Sequence, residues 1–508
     1  MRNAMIDVDV LIVGSGPVGA TFARLLVDQG NLNVLMVDAG PKLTERAGQH
    51  VRNLPENARV EAQVAAQGPT TFRYAVPSMP ERADAAVSGN YRLEHLVRPG
   101  THLPNGERWG DLPAAACSTN VGGMGAHWTC ACPPPAQGEA ISFIPDEQMQ
   151  VALAKARELL QVSASAYPDT PVSQRLRERL SSAFADVTTA TRAVQRMPLA
   201  CSSDQGQRRW SGSDTILGAL AEPSGRPERF EIRHDTACVQ LIVKNDRIVG
   251  AELLHRSSGT RYQVDAKTVI VAADALRTPQ LLWASGIRPK ALGRYLNDQP
   301  QVVHAVRLDA DESGINLPGA DPTVGVYWVP YDREHHPFHG QVMQMEACPV
   351  ALADEGQANV EHIVAMGWFC CKQDIRAEDR VHFSNSEKDF LGLPAMTLDY
   401  SLTASDLEQV GKARDLLQRA GKALGKPLGD APLMLPPGSS LHYQGTTRMG
   451  EADDGTCVCD DHCQVWGFQN LYVAGNGVIP TPTACNPTLT SVALAVRACQ
   501  RILKECRA

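Results

Sequence analysis

The chain has 508 residues, of which 43% are hydrophobic and 20% are charged, and its formal net charge is −8 at pH 7. This composition is typical of a globular protein, and the length predicts two or three domains rather than one compact core. The interspersed charges and the net negative charge argue against nucleic acid or an anionic membrane as the main partner.

The cysteines and the N-terminus predict a cytoplasmic protein. Fourteen cysteines in a chain of this length are far fewer than a disulfide-rich scaffold carries. Residues 1–7 lead into a strand-like run without the apolar core of a signal peptide, and no window of about 18 apolar residues predicts a membrane span. We therefore expect mostly reduced thiols and no membrane partner.

The first predicted elements form a nucleotide-binding unit. A buried strand at Val8–Val13 precedes the G-x-G-x-x-G segment Gly14–Gly19, a helical pattern follows at Ala20–Gln29, and a second strand at Asn33–Asp38 ends in an acid. This order is the dinucleotide-binding βαβ fingerprint, although a lone G-x-G-x-x-G also marks ordinary turns. The fingerprint by itself does not separate FAD from NAD.

Each residue of the fingerprint has an expected contact with a nucleotide. Gly14, Gly16 and Gly19 let the backbone approach a pyrophosphate at the helix N-terminus. Asp38 accepts hydrogen bonds from ribose hydroxyls; the alternative is a solvated strand end.

A second glycine run lies at Gly122–Pro133. Glycines let the backbone approach a flat ligand because they have no Cβ. His127, Trp128 and Thr129 follow this run, so their polar groups are expected at the edge of that ligand.

Two later regions complete the cofactor domain. Thr268–Leu282 reads as a buried strand, a turn of small residues and a helix, and Asn470–Gly477 reads as a strand that enters a glycine turn. The final helix follows Asn486 and runs to about Lys504. Because these pieces lie far apart in the chain, we expect one cofactor domain interrupted by insertions.

These patterns together resemble the glucose-methanol-choline (GMC) oxidoreductases, in particular the pyranose 2-oxidase branch. The resemblance rests on five blocks: the fingerprint, the His127 segment, Ala273–Ile287, His442–Gly450 and Gly475–Thr490. It implies an α/β fold in which a Rossmann-like FAD-binding domain is combined with a discontinuous α+β substrate-binding domain. FAD is therefore the expected cofactor.

The predicted domain boundaries follow the blocks. We assign residues 1–150, 226–300 and 438–508 to the FAD-binding domain, and residues 151–225 and 301–437 to the substrate-binding domain. The strands and helices expected in and before the substrate domain are Met149–Leu160 (helix), Val302–Leu308, Thr323–Val329, Met396–Tyr400 (strands) and Leu407–Leu424 (helix). A Pro/Gly-rich connection at Lys426–Ser440 is expected to return the chain to the cofactor domain.

The resemblance also implies cofactor contacts. His127 occupies the position at which fungal pyranose oxidases bind the flavin covalently; the alternative is a buried, hydrogen-bonded histidine without that bond. Thr129 matches the residue whose hydroxyl faces flavin N5, and Cys238 matches a segment whose backbone receives the adenine. The remaining implied cofactor contacts are Gly123, Asn476 and Thr488.

His442 and Asn486 are the implied catalytic pair. Oxidation of a secondary alcohol removes a hydride and a proton, and a neutral imidazole is a suitable base near pH 7. The family pattern makes His442 that base and makes Asn486 a hydrogen-bond donor that positions the alcohol or alkoxide. The structural alternatives are a turn-capping histidine and a helix-capping asparagine.

The substrate expected from the resemblance is a pyranose sugar or glycoside, oxidised at C2 or C3. Gln341 matches a sugar-contacting glutamine, but Met343–Pro349 departs from the fungal substrate loop, which leaves glycoside 3-oxidation at least as well supported as free-sugar 2-oxidation. The electron acceptor, O₂ or a quinone, and the oligomeric state stay open. His335, His336 and His339 are expected in a solvated loop rather than at a metal.

No metal site is predicted. Cys457–Cys463 lacks the paired C-x-x-C spacing of zinc sites and is expected to form a hairpin. Two other function classes remain open: a non-catalytic flavoprotein that transfers electrons or regulates, and a nicotinamide oxidoreductase, which the C-terminal flavin-type blocks disfavour.

Overall fold

The computed structural model describes residues 6–55, 57–59, 61–62, 90–92, 112, 114–204, 207–308, 323–344 and 363–506. The helices are α1 (Pro17–Gly30), α2 (Asp146–Leu160), α3 (Pro171–Ala183), α4 (Ser213–Leu217), α5 (Asp274–Ala284), α6 (Ala404–Leu424) and α7 (Thr488–Glu505). The strands are β1 (Ile6–Val13), β2 (Val34–Val37), β3 (Asn90–Arg92), β4 (Ala116–Ser118), β5 (Val162–Ser163), β6 (Gln195–Arg196), β7 (Leu199–Asp204), β8 (Gln207–Trp210), β9 (Phe230–Arg233), β10 (Thr236–Lys244), β11 (Arg247–His255), β12 (Thr260–Val271), β13 (Gln301–Leu308), β14 (Val326–Val329), β15 (Phe338–Gln344), β16 (Ile363–Cys370), β17 (Arg380–Lys388), β18 (Pro394–Asp399), β19 (Gly425–Met434) and β20 (Leu471–Val473).

A parallel sheet in the order β20-β12-β1-β2-β9 carries the nucleotide fingerprint. Its strands are short apolar runs such as Val10–Val13 and Val34–Val37 that are buried on both faces, as expected when helices cover a parallel sheet. The N-terminal half of β12 pairs antiparallel with β11, which pairs with β10. The predicted βαβ unit is confirmed, with α1 between β1 and β2.

The second large sheet is antiparallel, in the order β19-β13-β16-β15-β14-β6. Helix α6 packs on it, and α3 packs on α6. The Pro/Gly-rich segment after Gly425 differs from the prediction, because it forms strand β19 rather than only a connection. A strand with Pro427 and Pro432 is tolerated there since β19 lies at the sheet edge, where one row of N–H groups needs no partner.

Both sheets contribute to one cavity. Helix α2 packs against α7 on the side of the parallel sheet, and the division into the two predicted domains remains a prediction. Of the segment in which the chain departs from the fungal pattern, Met343 and Gln344 lie at the end of β15, while 345–349 lie outside the described residues. Within the described ranges, no helix is long and apolar enough to cross a bilayer.

Candidate active site

A cavity of about 1160 Å³ opens where the parallel strands end and the antiparallel sheet begins. Val13 and Val37 line it from the ends of β1 and β2, and Gln341 and Gly367 line it from β15 and β16. Pockets for single small ligands usually measure about 300–1,000 Å³. The cavity therefore has room for a dinucleotide together with a small substrate.

The fingerprint glycines form a close-packed turn at one end of this cavity. Gly14 has φ +105°, and a Cβ at Gly19 would lie 2.0 Å from the backbone oxygen of Gly14. Gly16 differs, because a Cβ there would meet only the Gly122 oxygen at 4.0 Å. The protein thus leaves space in front of Gly16, beside the uncapped N-terminus of α1, where free N–H groups attract a phosphate.

Asp38 joins the two glycine runs. Its carboxylate accepts hydrogen bonds from the backbone N–H of Ser15 at 3.1 Å, from the Ser15 hydroxyl at 2.5 Å and from the Gly40 N–H at 2.9 Å. The Ser15 Oγ in turn accepts from the Gly122 N–H at 2.8 Å. Burial raises the pKa of Asp38, while these donors oppose that rise. Asp38 is therefore a bonded group of the cavity wall and not a solvated strand end.

His127 and Thr129 both line the cavity. His127 is buried, its Nε2 lies 2.8 Å from the Ser118 Oγ, and burial lowers its pKa to about 4. Its ring is therefore neutral near pH 7. Thr129 exposes its side chain to the cavity, and Gly123 lies against Gly16, where a Cβ on Gly123 would be 3.2 Å from the Gly16 Cα.

Cys238 also lines the cavity, and elsewhere its wall contains polar atoms that no protein group satisfies. The Thr119 Oγ1 and the Arg277 Nε and Nη2 are buried without a hydrogen-bond partner, although both residues line the cavity. Buried orphan polar atoms are uncommon because desolvation without a bond is costly. Together with the glycine turn, they fit a large polar ligand such as FAD.

Asn476 and Thr488 line the same cavity from the C-terminal region. The Asn476 Oδ1 accepts a hydrogen bond from the Ser491 hydroxyl at 2.6 Å, which fixes its amide relative to α7. Thr488 is the first residue of α7. The structure thus places every sequence-predicted cofactor residue except Gly19, which supports the turn from behind, on the cavity wall.

His442 lines the same cavity, in the loop that follows β19. Its ring stacks on Phe369 with centroids 5.6 Å apart, and its Nδ1 lies 2.7 Å from the Gln299 Oε1. The Gln299 Nε2 donates to the Cys485 carbonyl at 2.8 Å, so its oxygen must face His442. The Nδ1 therefore carries the proton, and Nε2 keeps its lone pair. Burial lowers the pKa of His442 to about 3.

Asn486 approaches the unprotonated nitrogen of His442. One terminal atom of the Asn486 side-chain amide lies 3.3 Å from the His442 Nε2, and the other lies 2.7 Å from the side-chain amide of Gln341. The N-cap of α7 is Pro487 without a side-chain hydrogen bond, so the alternative role of Asn486 as a helix cap is wrong. The structure brings His442, Asn486 and Gln341 together, although they come from three distant parts of the chain.

Sequence reasoning missed three residues that support this group. Gln299 fixes His442, and the buried Glu139 accepts from the backbone N–H groups of Ala484 and Cys485 at 2.8 and 2.9 Å, which holds the loop before Asn486. His339 contacts Gln341. A sequence signal existed only for His339, since residues two apart on a strand share one face.

The histidines near β15 differ from the prediction. His335 is exposed, but His336 and His339 are fully buried, so the expected solvated loop is wrong for both. Each ring accepts a hydrogen bond from a tryptophan indole: Trp368 to His336 at 3.0 Å and Trp328 to His339 at 2.8 Å. These bonds allow a neutral imidazole to be buried at low cost.

The cysteine-rich segment is also packed into the interior. Cys457, Cys459 and Cys463 are buried thiols. The backbone of Cys459 forms isolated β-bridges with Met449 and Val465. Across the residues that the structure describes, no group of three His, Cys, Asp or Glu side chains could hold a metal ion.

Comparisons with known proteins agree with this geometry. Two family models described as GMC oxidoreductase match residues 136–301 and 376–495. A C-glycoside 3-oxidase of Microbacterium trichothecenolyticum is 45% identical over 98% of this chain and 97% of its own length. A pyranose 2-oxidase of Tricholoma matsutake is 31% identical over 97% of this chain and 93% of its own length.

The fold comparison extends further. A formate oxidase from Aspergillus oryzae RIB40 superposes with a TM-score of 0.69 at 15% identity, covering 99% of both chains. At this identity the likeness concerns the fold alone, and it confirms the predicted α/β architecture. The chain therefore belongs to the GMC oxidoreductases, an FAD-dependent family, and within it to the pyranose oxidase-like branch.

Proposed function

We propose that this protein oxidises the C3 hydroxyl of a glycoside, C-glycosides included, to the 3-keto product and passes the electrons to O₂. The observation that carries the proposal is the neutral His442, whose Nε2 lone pair lies at the cavity beside Asn486 and Gln341. This is the arrangement that removal of a proton from an alcohol requires.

Each protein group has a defined task in that reaction. FAD, when bound, supplies the hydride acceptor. The His442 Nε2 accepts the hydroxyl proton, since Nδ1–H already donates to Gln299. Phe369 fixes the plane of the imidazole by stacking on it, and Gln341 and Asn486, which line the cavity beside His442, orient the sugar. Both amides are buried, so they reach the substrate without competing water.

The relatives favour C3 over C2. The C-glycoside 3-oxidases from two bacteria are 45% and 46% identical to this chain, whereas the pyranose 2-oxidase of Tricholoma matsutake is 31% identical. Oxidation of free pyranoses at C2 is the second candidate, and it is supported by that third relative. A non-catalytic flavoprotein would not need a positioned base beside a paired amide, and so we place it last.

One experiment separates these candidates. The purified holoprotein is mixed anaerobically with free sugars, O-glycosides and C-glycosides, flavin bleaching is recorded, and the products are assigned by NMR. We expect the fastest bleaching with glycosides and a ketone at C3. A ketone at C2 selects the second candidate, and an absence of bleaching by the whole panel contradicts carbohydrate oxidation. Release of one H₂O₂ per ketone in air tests O₂ as acceptor, against a quinone.

We further propose that FAD is held without a covalent bond to His127. The His127 Nε2 is already engaged with the Ser118 hydroxyl at 2.8 Å, and bond formation at this nitrogen would break that contact. Acid precipitation should release all the yellow colour into the supernatant. Colour retained in the pellet would show the covalent attachment that the sequence leaves open.

A cytoplasmic location completes the proposal. The described cysteines are all free, twelve of them buried and Cys506 exposed, which suits a reducing compartment. Fractionation of native cells should recover the activity with the cytoplasmic markers. Recovery with a secreted or membrane fraction would contradict this location.

A further inference from the structure

A chain of hydrogen-bonding groups crosses the active site and continues behind it. Its members are in contact in one line from an indole N–H to a backbone carbonyl: Trp328, His339, Gln341, Asn486, His442, Gln299 and the Cys485 carbonyl. Five of its six contacts measure 2.7–2.8 Å, and the contact between Asn486 and His442 measures 3.3 Å. We call this line the amide–histidine chain.

Both ends of the amide–histidine chain have a fixed direction. The Trp328 indole can only donate, so the His339 Nδ1 accepts and the neutral ring keeps its proton on Nε2. The carbonyl of Cys485 can only accept, so Gln299 presents its own oxygen to His442. His442 therefore donates from Nδ1.

The side-chain amides of Gln341 and Asn486 must be oriented so that they match the donor at His339 and the acceptor at His442. An amide nitrogen and oxygen have the same shape, and their identity follows from their partners. The Gln341 atom placed as Nε2 lies 2.8 Å from the His339 Nε2–H, which needs an acceptor, so this atom is better assigned as the Gln341 oxygen. The same atom contacts Asn486 at 2.7 Å, so Asn486 must offer its NH₂ there. The Asn486 carbonyl then faces the His442 Nε2.

When His442 is neutral, the amide–histidine chain has one contact that lacks a hydrogen-bond donor. A carbonyl oxygen and a ring lone pair then face each other across the Asn486–His442 contact, the longest in the line. A proton on the His442 Nε2 completes every hydrogen bond. The alternative amide orientations move the mismatch to another contact but do not remove it.

We propose that His339, held by Trp328, is a positioning residue that turns Gln341 and Asn486 so that the Asn486 carbonyl faces the His442 Nε2 and stabilises the imidazolium formed during alcohol oxidation. This inference rests on the proposed function. In that step the substrate O–H bond breaks, its proton forms the Nε2–H bond, and the adjacent carbon loses its hydride to the cofactor as the C=O bond forms. Asn486 thus accepts from His442, whereas the family resemblance implies that Asn486 donates to the alcohol or alkoxide.

A second tryptophan–histidine pair, formed by Trp368 in β16 and His336 in the loop before β15, provides a matched control. The Trp368 indole donates to the His336 Nε2 at 3.0 Å, and the His336 Nδ1 lies 3.0 Å from the Pro330 carbonyl. Among the described residues, these two bonds join β16 to the loop between β14 and β15, and neither reaches the active site. Trp368→Phe therefore removes a similar buried hydrogen bond without altering the amide–histidine chain.

The first test is the pH dependence of anaerobic flavin bleaching by the best substrate. For His339→Leu we expect the limiting rate to fall by about tenfold and the acid limb to move by about one unit to lower pH, since the base loses the carbonyl that favours its protonation. Trp328→Phe should lower the limiting rate and shift the acid limb in the same directions, but by smaller amounts. Trp368→Phe should lower stability alone. Equal pH profiles in all four proteins would overturn the proposal.

Other groups near His442 must be separated in this profile. Asp298 accepts from the Ser440 hydroxyl, whose oxygen accepts from the His442 backbone N–H at 3.0 Å. Burial raises the pKa of Asp298 to about 6, so a limb near that value should appear unchanged in every variant. His339 stays neutral because burial lowers its pKa to about 3. Tyr443 and Tyr400, near Asp298, have raised pKa values and remain protonated.

The second test needs no turnover. Nitrogen-15 NMR of histidine-labelled holoprotein, assigned by comparison with His339→Leu and His442→Ala, reports which ring nitrogens carry protons. We expect His339 protonated at Nε2, His442 protonated at Nδ1, and a lower His442 pKa in His339→Leu. A proton on the His339 Nδ1 would overturn the proposal even if His339→Leu fails to fold. If no sugar bleaches the flavin but these ring states are found, the proposed function fails and the hydrogen-bond assignment stands.

Discussion

The two sides of the cavity are built from different kinds of atoms. The nucleotide side is mainly backbone, with Gly14, Gly16 and Gly19 around the N-terminus of α1. The catalytic side is made of side chains, His442, Asn486 and Gln341. A methyl group added where this backbone is close-packed disrupts the fold, whereas a change in the side-chain site lowers activity and keeps the fold. The predictions below test this difference.

The largest effect is expected for Gly19→Ala. Its Cβ would lie 2.0 Å from the backbone oxygen of Gly14, so the backbone would have to shift. We expect the free energy of unfolding to fall by several kcal/mol, so that the variant does not fold. Gly16→Ala is the matched control, because its Cβ would meet only an oxygen at 4.0 Å. It should fold, as measured by thermal denaturation, but lose FAD. Full flavin content in Gly16→Ala would contradict the nucleotide role of this glycine.

The catalytic side should respond differently. His442→Ala should keep its FAD and its stability within about 2 kcal/mol but lower the limiting rate of anaerobic flavin bleaching by about 10²–10⁴-fold, the usual contribution of a general base. His335→Ala, which changes an exposed histidine, is the control and should bleach at the normal rate. Loss of flavin from His442→Ala would mean that the two sides are not independent.

Acid should destabilise the folded protein on both sides of the cavity, by a few kcal/mol between about pH 7 and about pH 6. Burial lowers the pKa of five histidines to about 3 or 4, and these are His50, His127, His336, His339 and His442. The unfolded chain has the ordinary histidine pKa and so binds more protons below about pH 6.5. Stability is therefore present above that pH and is lost as the pH falls. Urea unfolding at the two pH values measures the loss.

Asp298 acts in the opposite direction. Because burial raises its pKa to about 6, the folded protein binds its proton first, and its contribution to stability is lost as the pH rises through that value. It offsets part of the loss from one histidine. A free energy of unfolding that stays constant or rises on acidification would show that the histidines are not neutral in the folded protein.

The smallest effect is expected for Ser118→Ala. This change removes the hydroxyl bonded to the His127 Nε2 and should cost about 1 kcal/mol in urea unfolding. Ser165→Ala, at an exposed serine bonded only to its neighbour Ser163, is the control and should cost less. Unchanged stability in Ser118→Ala would mean that the contact at His127 is not a hydrogen bond.

The same difference explains what the sequence could predict. The turn around Gly14 and the strand that ends at Asp38 are local patterns, so periodicity and spacing were enough to find them. His442 and Asn486 were identified only through the family resemblance. Gln299 and Glu139 were not found, because each acts on residues more than one hundred positions away. The sequence predicts a solvated position for His336 because its partner, Trp368, is distant in the chain.

The strand order of the parallel sheet has a consequence for biosynthesis. Strand β1 needs β12 beside it, β12 needs β20, and α7 then covers α1. Ribosomes add about 5–20 residues per second, so the apolar surface of α1 stays uncovered for tens of seconds until these partners have been synthesised. Cofactor capture is therefore a late event in synthesis, and a nascent chain that stops before Leu471 exposes a strand edge open to aggregation.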